Sequence, residues 1–107
     1  MGIGKQIRMN RLFSHPSGNF CSVAVDHLIG YGDGLPPGLR RIKPTVDAIV
    51  AARPDAITMH KGIATSCWGE HAGSMPLILQ STLARADLTL HETIVDPEEA
   101  VRLGADA

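Results

Sequence analysis

The sequence predicts an α/β fold built on parallel strands, and three observations lead there. Short apolar runs rich in β-branched residues alternate along the chain with stretches whose apolar residues recur at helical spacing. The first run is nearly continuous rather than alternating, which is the pattern of a parallel strand covered on both faces. With 44% apolar and 20% charged residues, the 107-residue chain is apolar enough to build a core and short enough for one domain, spanning residues 1–107. Strands that alternate with helices are joined by right-handed crossovers.

Each element follows in order. Ile3, Ile7, Leu12 and Phe13 recur at near-helical spacing, predicting a short amphipathic helix over 3–13, ended by the turn cluster Ser14-His15-Pro16-Ser17-Gly18-Asn19. Phe20 to Val25 is the first strand. The segment Gly30 to Gly38 holds four glycines and two prolines in nine residues and is read as a loop. Ile42, Val46, Ile49 and Val50 then form the apolar stripe of a helix covering a sheet, which stops near Ala52 because Pro54 restricts Arg53. Ala56 to His60 is the second strand and Pro76 to Gln80 the third, with proline at its first residue, where a missing donor is tolerated. The connection from Ile63 to Met75 has weak helical character at best, with Trp68 and Met75 as packing residues. Residues 88–95 are assigned to no element. Asp96 as N-cap, Pro97 at the first helical position, Glu99 and the stop at Gly104 define a last helix over Asp96 to Leu103.

Composition narrows function. Ten Lys+Arg against eleven Asp+Glu and only 4% aromatic residues supply neither a basic surface nor a stacking platform for nucleic acid, so no nucleic-acid partner is expected. The basic, acid-free start at Lys5, Arg8 and Arg11 reads as a solvated helix face. No run of about 18 apolar residues and no secretory signal is found, so no membrane partner is expected and the compartment is read as cytoplasmic. Cys21 and Cys67 lie in unlike contexts and make no disulfide framework. The five histidines form none of the paired spacings of metal sites, so neither a metal nor another cofactor is expected, and a metal-dependent barrel hydrolase lacks its histidine pair.

Asp55-Ala56 leads from one helix into a strand, and Asp106-Ala107 echoes it after the last helix. The chain therefore stops where a strand should start. Three parallel strands leave two unpaired edges, which implies part of a longer chain or assembly with copies of itself, hence a homo-oligomer.

Three segments carry a resemblance. Gly4-Lys5-Gln6-Ile7-Arg8-Met9-Asn10-Arg11-Leu12-Phe13, Val23-Ala24-Val25-Asp26-His27 and Asp55-Ala56-Ile57-Thr58-Met59-His60-Lys61-Gly62-Ile63-Ala64 stand in the order and spacing of the archaeal-type class I (Schiff-base) fructose-bisphosphate aldolase family. That family includes aminodideoxyheptulosonate synthases and the autoinducer-processing thiolase. Glu98 to Ala107 resembles the family's segment before the fourth strand. The resemblance implies the N-terminal three βα units of a (β/α)8 TIM barrel, incomplete because such barrels need about 250 residues. It implies a carbon–carbon lyase acting through an imine on a phosphorylated sugar or related keto compound, in a fragment lacking the sixth-strand lysine. The isolated fragment would then be inactive. Where the family has glycine after Asp26-His27, this chain has Leu28.

Strand alternation puts Ser22, Ala24 and Asp26 on one side, small or polar, and Cys21, Val23 and Val25 on the helix side. Asp26, at a strand's C-terminal end, suits proton transfer, and the family's matching aspartate has that role. His60 shares the small-residue face of the second strand and is read as substrate-binding, able to bond a hydroxyl or a carboxylate. His27, on the opposite face if the strand continues, is read as a substrate-binding residue or a support for Asp26. Lys61 is chemically suited to imine formation, yet it lies on the Ile57 and Met59 side and is read as a structural or substrate-contact lysine. The alternative is a non-catalytic, truncated or split half-barrel that assembles with another chain through its strand edges.

Overall fold

A computed structural model describes residues 2–27, 34–85, 87 and 89–107. Its centre is a three-stranded parallel sheet of β1 (Ser22–Ala24), β2 (Ala56–Met59) and β3 (Leu77–Leu79), in that spatial order. Val23 pairs with Ile57 and Thr58 with Ile78. The strand order follows the chain order, so every crossover steps in the same direction, and a common handedness then puts every crossover helix on one face. The core agrees. Val25, Ile57, Met59, Leu77 and Leu79 pack against Val46 of α3 (Ile42–Ala52), Ala64 of α4 (Lys61–Cys67), Trp68 and Val95, with Ala100 of α5 (Pro97–Arg102) beside them. Each such side chain, fully buried, contributes roughly 1.5–3 kcal/mol.

The other face of the sheet is open at β1, while Ala56 of β2 on that face is buried. Ser22 and Ala24 are exposed and Val23 is half-buried, which corrects the expectation of a first strand covered on both faces. A continuous apolar run reports its surroundings only where both faces are packed, and here the helices lie on one.

The helix over 3–13 is found as α1 (Ile3–Leu12), but most of its apolar stripe is exposed. Leu12 is buried, while Ile3 and Ile7 stand 77% and 55% exposed. Phe13 stacks against Phe20 with ring centroids 5.3 Å apart. Arg11, expected on a solvated basic face, instead reaches buried Asp106 at 2.6 Å. The predicted loop at 30–38 contains a short helix, α2 (Pro37–Arg40), which begins on proline where no amide donor is needed; residues 30–33 of that prediction lie outside the described residues. The connection from Ile63 to Met75 is more helical than expected, with α4 followed by a 3-10 turn at Gly69–His71. Gly62, Thr65 and Ser66 are weak helix formers, and burial of Ala64, Cys67 and Trp68 offsets them. The unassigned stretch contributes to an antiparallel hairpin, β4 (Thr82–Ala84) with β5 (His91–Thr93). In α3 the C-cap Arg53 turns left-handed, φ +53°. In α5 the Asp96 carboxylate accepts from the Glu99 amide at 2.8 Å, the predicted cap.

The Asp-Ala echo has a structural meaning. The Asp55 amide donates to the Cys21 carbonyl at 2.8 Å, and the Cys21 amide returns a bond to the Asp55 carboxylate at 2.7 Å. The Asp106 amide likewise donates to the Leu77 carbonyl at 2.8 Å, and the Leu77 amide bonds the Asp106 carboxylate at 3.1 Å. The same two-bond staple thus joins β2 to the start of β1 and the C-terminal segment to the start of β3. Leu79 also donates to the Ala107 carbonyl at 2.9 Å, so the last residues run alongside β3.

Candidate functional site

In a parallel sheet all strands end on the same side, so residues just past those ends converge. Ala24 is paired with Thr58, and Thr58 with Ile78. Two residues further along each strand, the same register brings Asp26, His60 and Gln80 into one row on the open face. The backbone ladder holds to that point: Val25 donates to the Thr58 carbonyl at 2.8 Å and Gln80 to the Met59 carbonyl at 3.0 Å. A cavity of about 160 Å³ sits here, lined by Asp26, His60 and Gln80 with Thr82, Leu83 and Ala84 of the hairpin.

His60 is 8% exposed, and its Nε2 donates to the Asp26 backbone carbonyl at 2.8 Å. A carbonyl only accepts, so Nε2 carries the hydrogen and Nδ1 of the neutral ring is a lone-pair acceptor. That Nδ1 is buried with no hydrogen-bond partner among the described residues. An orphaned buried acceptor is costly unless a bound group satisfies it. The Asp26 side chain is one-fifth exposed, with the His27 Nδ1 3.7 Å from its Oδ1, beyond direct hydrogen bonding. The Gln80 amide nitrogen donates to the Thr82 hydroxyl at 3.1 Å and to the Thr82 carbonyl at 3.5 Å.

The structure therefore brings Asp26 and His60 together, with His27 beside them. Lys61 lies elsewhere: its Nζ pairs with Glu99 at 2.9 Å, tying α4 to α5 outside the cavity. Gln80 and Thr82 were not anticipated. The strand prediction reached Gln80, but only the inter-strand register aligns it with His60, and register is invisible to local pattern.

Two other places were weighed. A cavity of about 590 Å³ opens at the opposite ends of the strands, between Pro16, Arg53 and Met75. In its lining His15 bonds Ser17 and Asp55 bonds the Cys21 amide. Between α3 and the 3-10 turn, Asp47, Glu70 and His71 place ligand-type atoms within 4.8 Å of one another, a grouping the absence of paired histidine spacings did not foresee. Lys43 already bonds Asp47 at 2.8 Å and Glu70 at 3.1 Å, and His71 bonds Asp47 at 2.7 Å. The hydrogen bond from Lys43, then that from His71, holds the Asp47 carboxyl below its ordinary range. This cluster is a charge-neutralising tie between helices.

No protein-family model matches the chain. Among the described residues no helix is long and apolar enough to cross a membrane.

Proposed function

We propose that the chain forms the first three βα units of a closed (β/α)8 barrel with class I aldolase chemistry on a phosphorylated sugar or keto compound, cytoplasmic and free of metal and cofactor. The observation that carries the reading is the row of Asp26 and His60 at the C-terminal ends of consecutive parallel strands, the face where barrel enzymes hold their chemistry. One-sided helix cover and the repeated aspartate staple support it, because a barrel repeats one βα unit with all helices outside.

In this reading the Asp26 carboxylate takes the proton of the substrate's C4 hydroxyl as the C3–C4 bond breaks. The bonding electrons pass toward an imine on a lysine that the resemblance assigns to the sixth strand. His60 orients a substrate hydroxyl, and His27 supports Asp26. Lys61, paired with Glu99, acts as a structural lysine.

Borohydride reduction with dihydroxyacetone phosphate, on the polypeptide that carries the later strands, tests this. The expected adduct maps to a lysine outside residues 1–107, and Asp26→Asn slows cleavage without blocking the adduct. An adduct on Lys61, or activity lost to a chelator, overturns it.

A second reading, a non-catalytic half-barrel that joins another chain, draws on β1, which lies at the sheet edge with Ser22 and Ala24 exposed. Sedimentation of the chain separates the two, because self-association without saturable sugar-phosphate binding favours the half-barrel.

A further inference from the structure

We infer that Gln80 is a specificity-determining residue of this site, and that the row Asp26–His60–Gln80 recognises the hydroxyl groups of an acyclic polyol rather than a phosphate. The inference rests on the reading above for its ligand class and adds the third member of the row.

The His60 Nε2 hydrogen is committed to the Asp26 carbonyl, leaving Nδ1 as a buried acceptor without a partner among the described residues. The Gln80 amide nitrogen is committed to Thr82, and because the Thr82 carbonyl can only accept, the amide's orientation is set. Its carbonyl oxygen is therefore the group left for a ligand. Asp26 contributes a carboxylate. Three strands thus present three acceptors in one row along the lining of one cavity. Three acceptors repel an anion and attract O–H donors, and because neighbouring strands stand about 4.8 Å apart each acceptor calls for a hydroxyl of its own. The phosphate of a sugar phosphate must then lie outside this row. A buried acceptor also rejects the analogue that lacks its hydroxyl, because it would again be left unpaired.

The hairpin has a role in this. By holding the Gln80 amide, Thr82 fixes which end of it faces the ligand, so Thr82 is a positioning residue.

The test uses sorbitol 6-phosphate, which has no carbonyl and cannot form an imine, with inorganic phosphate as the comparison. Long-range proton–nitrogen NMR of the chain should show the His60 hydrogen on Nε2, and titration with sorbitol 6-phosphate should move the Nδ1 resonance while inorganic phosphate leaves it in place. Gln80→Leu should weaken polyol binding about tenfold or more, the effect of leaving a ligand hydroxyl unpaired. Thr82→Val, which removes the shorter of the two bonds to the Gln80 amide and keeps the carbonyl one, should partly reduce the preference for sorbitol 6-phosphate over its deoxy analogues without changing the melting temperature. A hydrogen on Nδ1, an Nδ1 response to phosphate alone, or wild-type binding by Gln80→Leu overturns the inference. Failure of the aldolase reading shows separately, as absence of a borohydride adduct while polyol binding persists.

Discussion

The two ends of the sheet use the same residue type in opposite ways. At the N-terminal ends, Asp55 and Asp106 each bond the amide of a neighbouring strand, and Asp106 is further paired with Arg11. At the C-terminal ends, Asp26 stands beside a buried histidine acceptor that no described residue satisfies. A carboxylate whose lone pairs are occupied by backbone donors adds stability; one left facing a cavity is available to a ligand. The difference separates the part of the molecule that holds the strands in register from the part that leaves polar groups to a cavity.

The largest test of that contrast is at Asp26. On the aldolase reading, Asp26→Asn in the polypeptide that carries the later strands should lower aldol cleavage by roughly 10²–10⁴-fold, the usual contribution of a positioned proton-transfer group, with an unchanged denaturation midpoint. A matching loss of stability would put Asp26 in the same class as Asp55 and erase the comparison. Asp106→Ala should do the reverse, costing about 1–3 kcal/mol in urea unfolding because the Leu77 amide and Arg11 lose their partner. Asp55→Ala should follow it at the lower end, since it has no arginine to strand.

The outer layer offers a third standard. Asp47 is held below its ordinary range chiefly by Lys43, so its contribution is present above the unfolded carboxylate range and is lost as pH falls through the lower folded value. Being exposed, it should give only a shallow decline in melting temperature below about pH 4, abolished by Asp47→Asn; a decline that persists in this variant assigns the effect to other carboxylates. The smallest effect is expected at Arg53, whose left-handed backbone at φ +53° suits glycine. Arg53→Gly should stabilise by about 0.5 kcal/mol, relief of the left-handed strain exceeding the added unfolded-state entropy.

Legibility in the sequence followed the range of the forces involved. The helix over Ile42–Ala52 and the Asp96 cap were readable because apolar spacing and a side-chain-to-amide bond three residues away are local signals. Strand alternation likewise put Asp26 and His60 on their strands' small-residue faces. The helix at Lys61–Cys67 was underestimated because its support comes from buried packing of Ala64 and Cys67 rather than from propensity. The exposure of Ile3 and Ile7 in α1 was not legible, because periodicity states which residues share a face and not what covers it.

By itself, then, the sequence determined the order and kind of the main elements, the capped last helix and the side of each strand on which its chemistry-bearing residues stand. Only the tertiary structure decided that Gln80 aligns with Asp26 and His60, that the two Asp-Ala pairs are the same staple, and that Lys61 turns to Glu99. The reason is physical: caps and periodicity are set by near neighbours along the chain, whereas register and long-range ion pairs exist only once separate segments have packed.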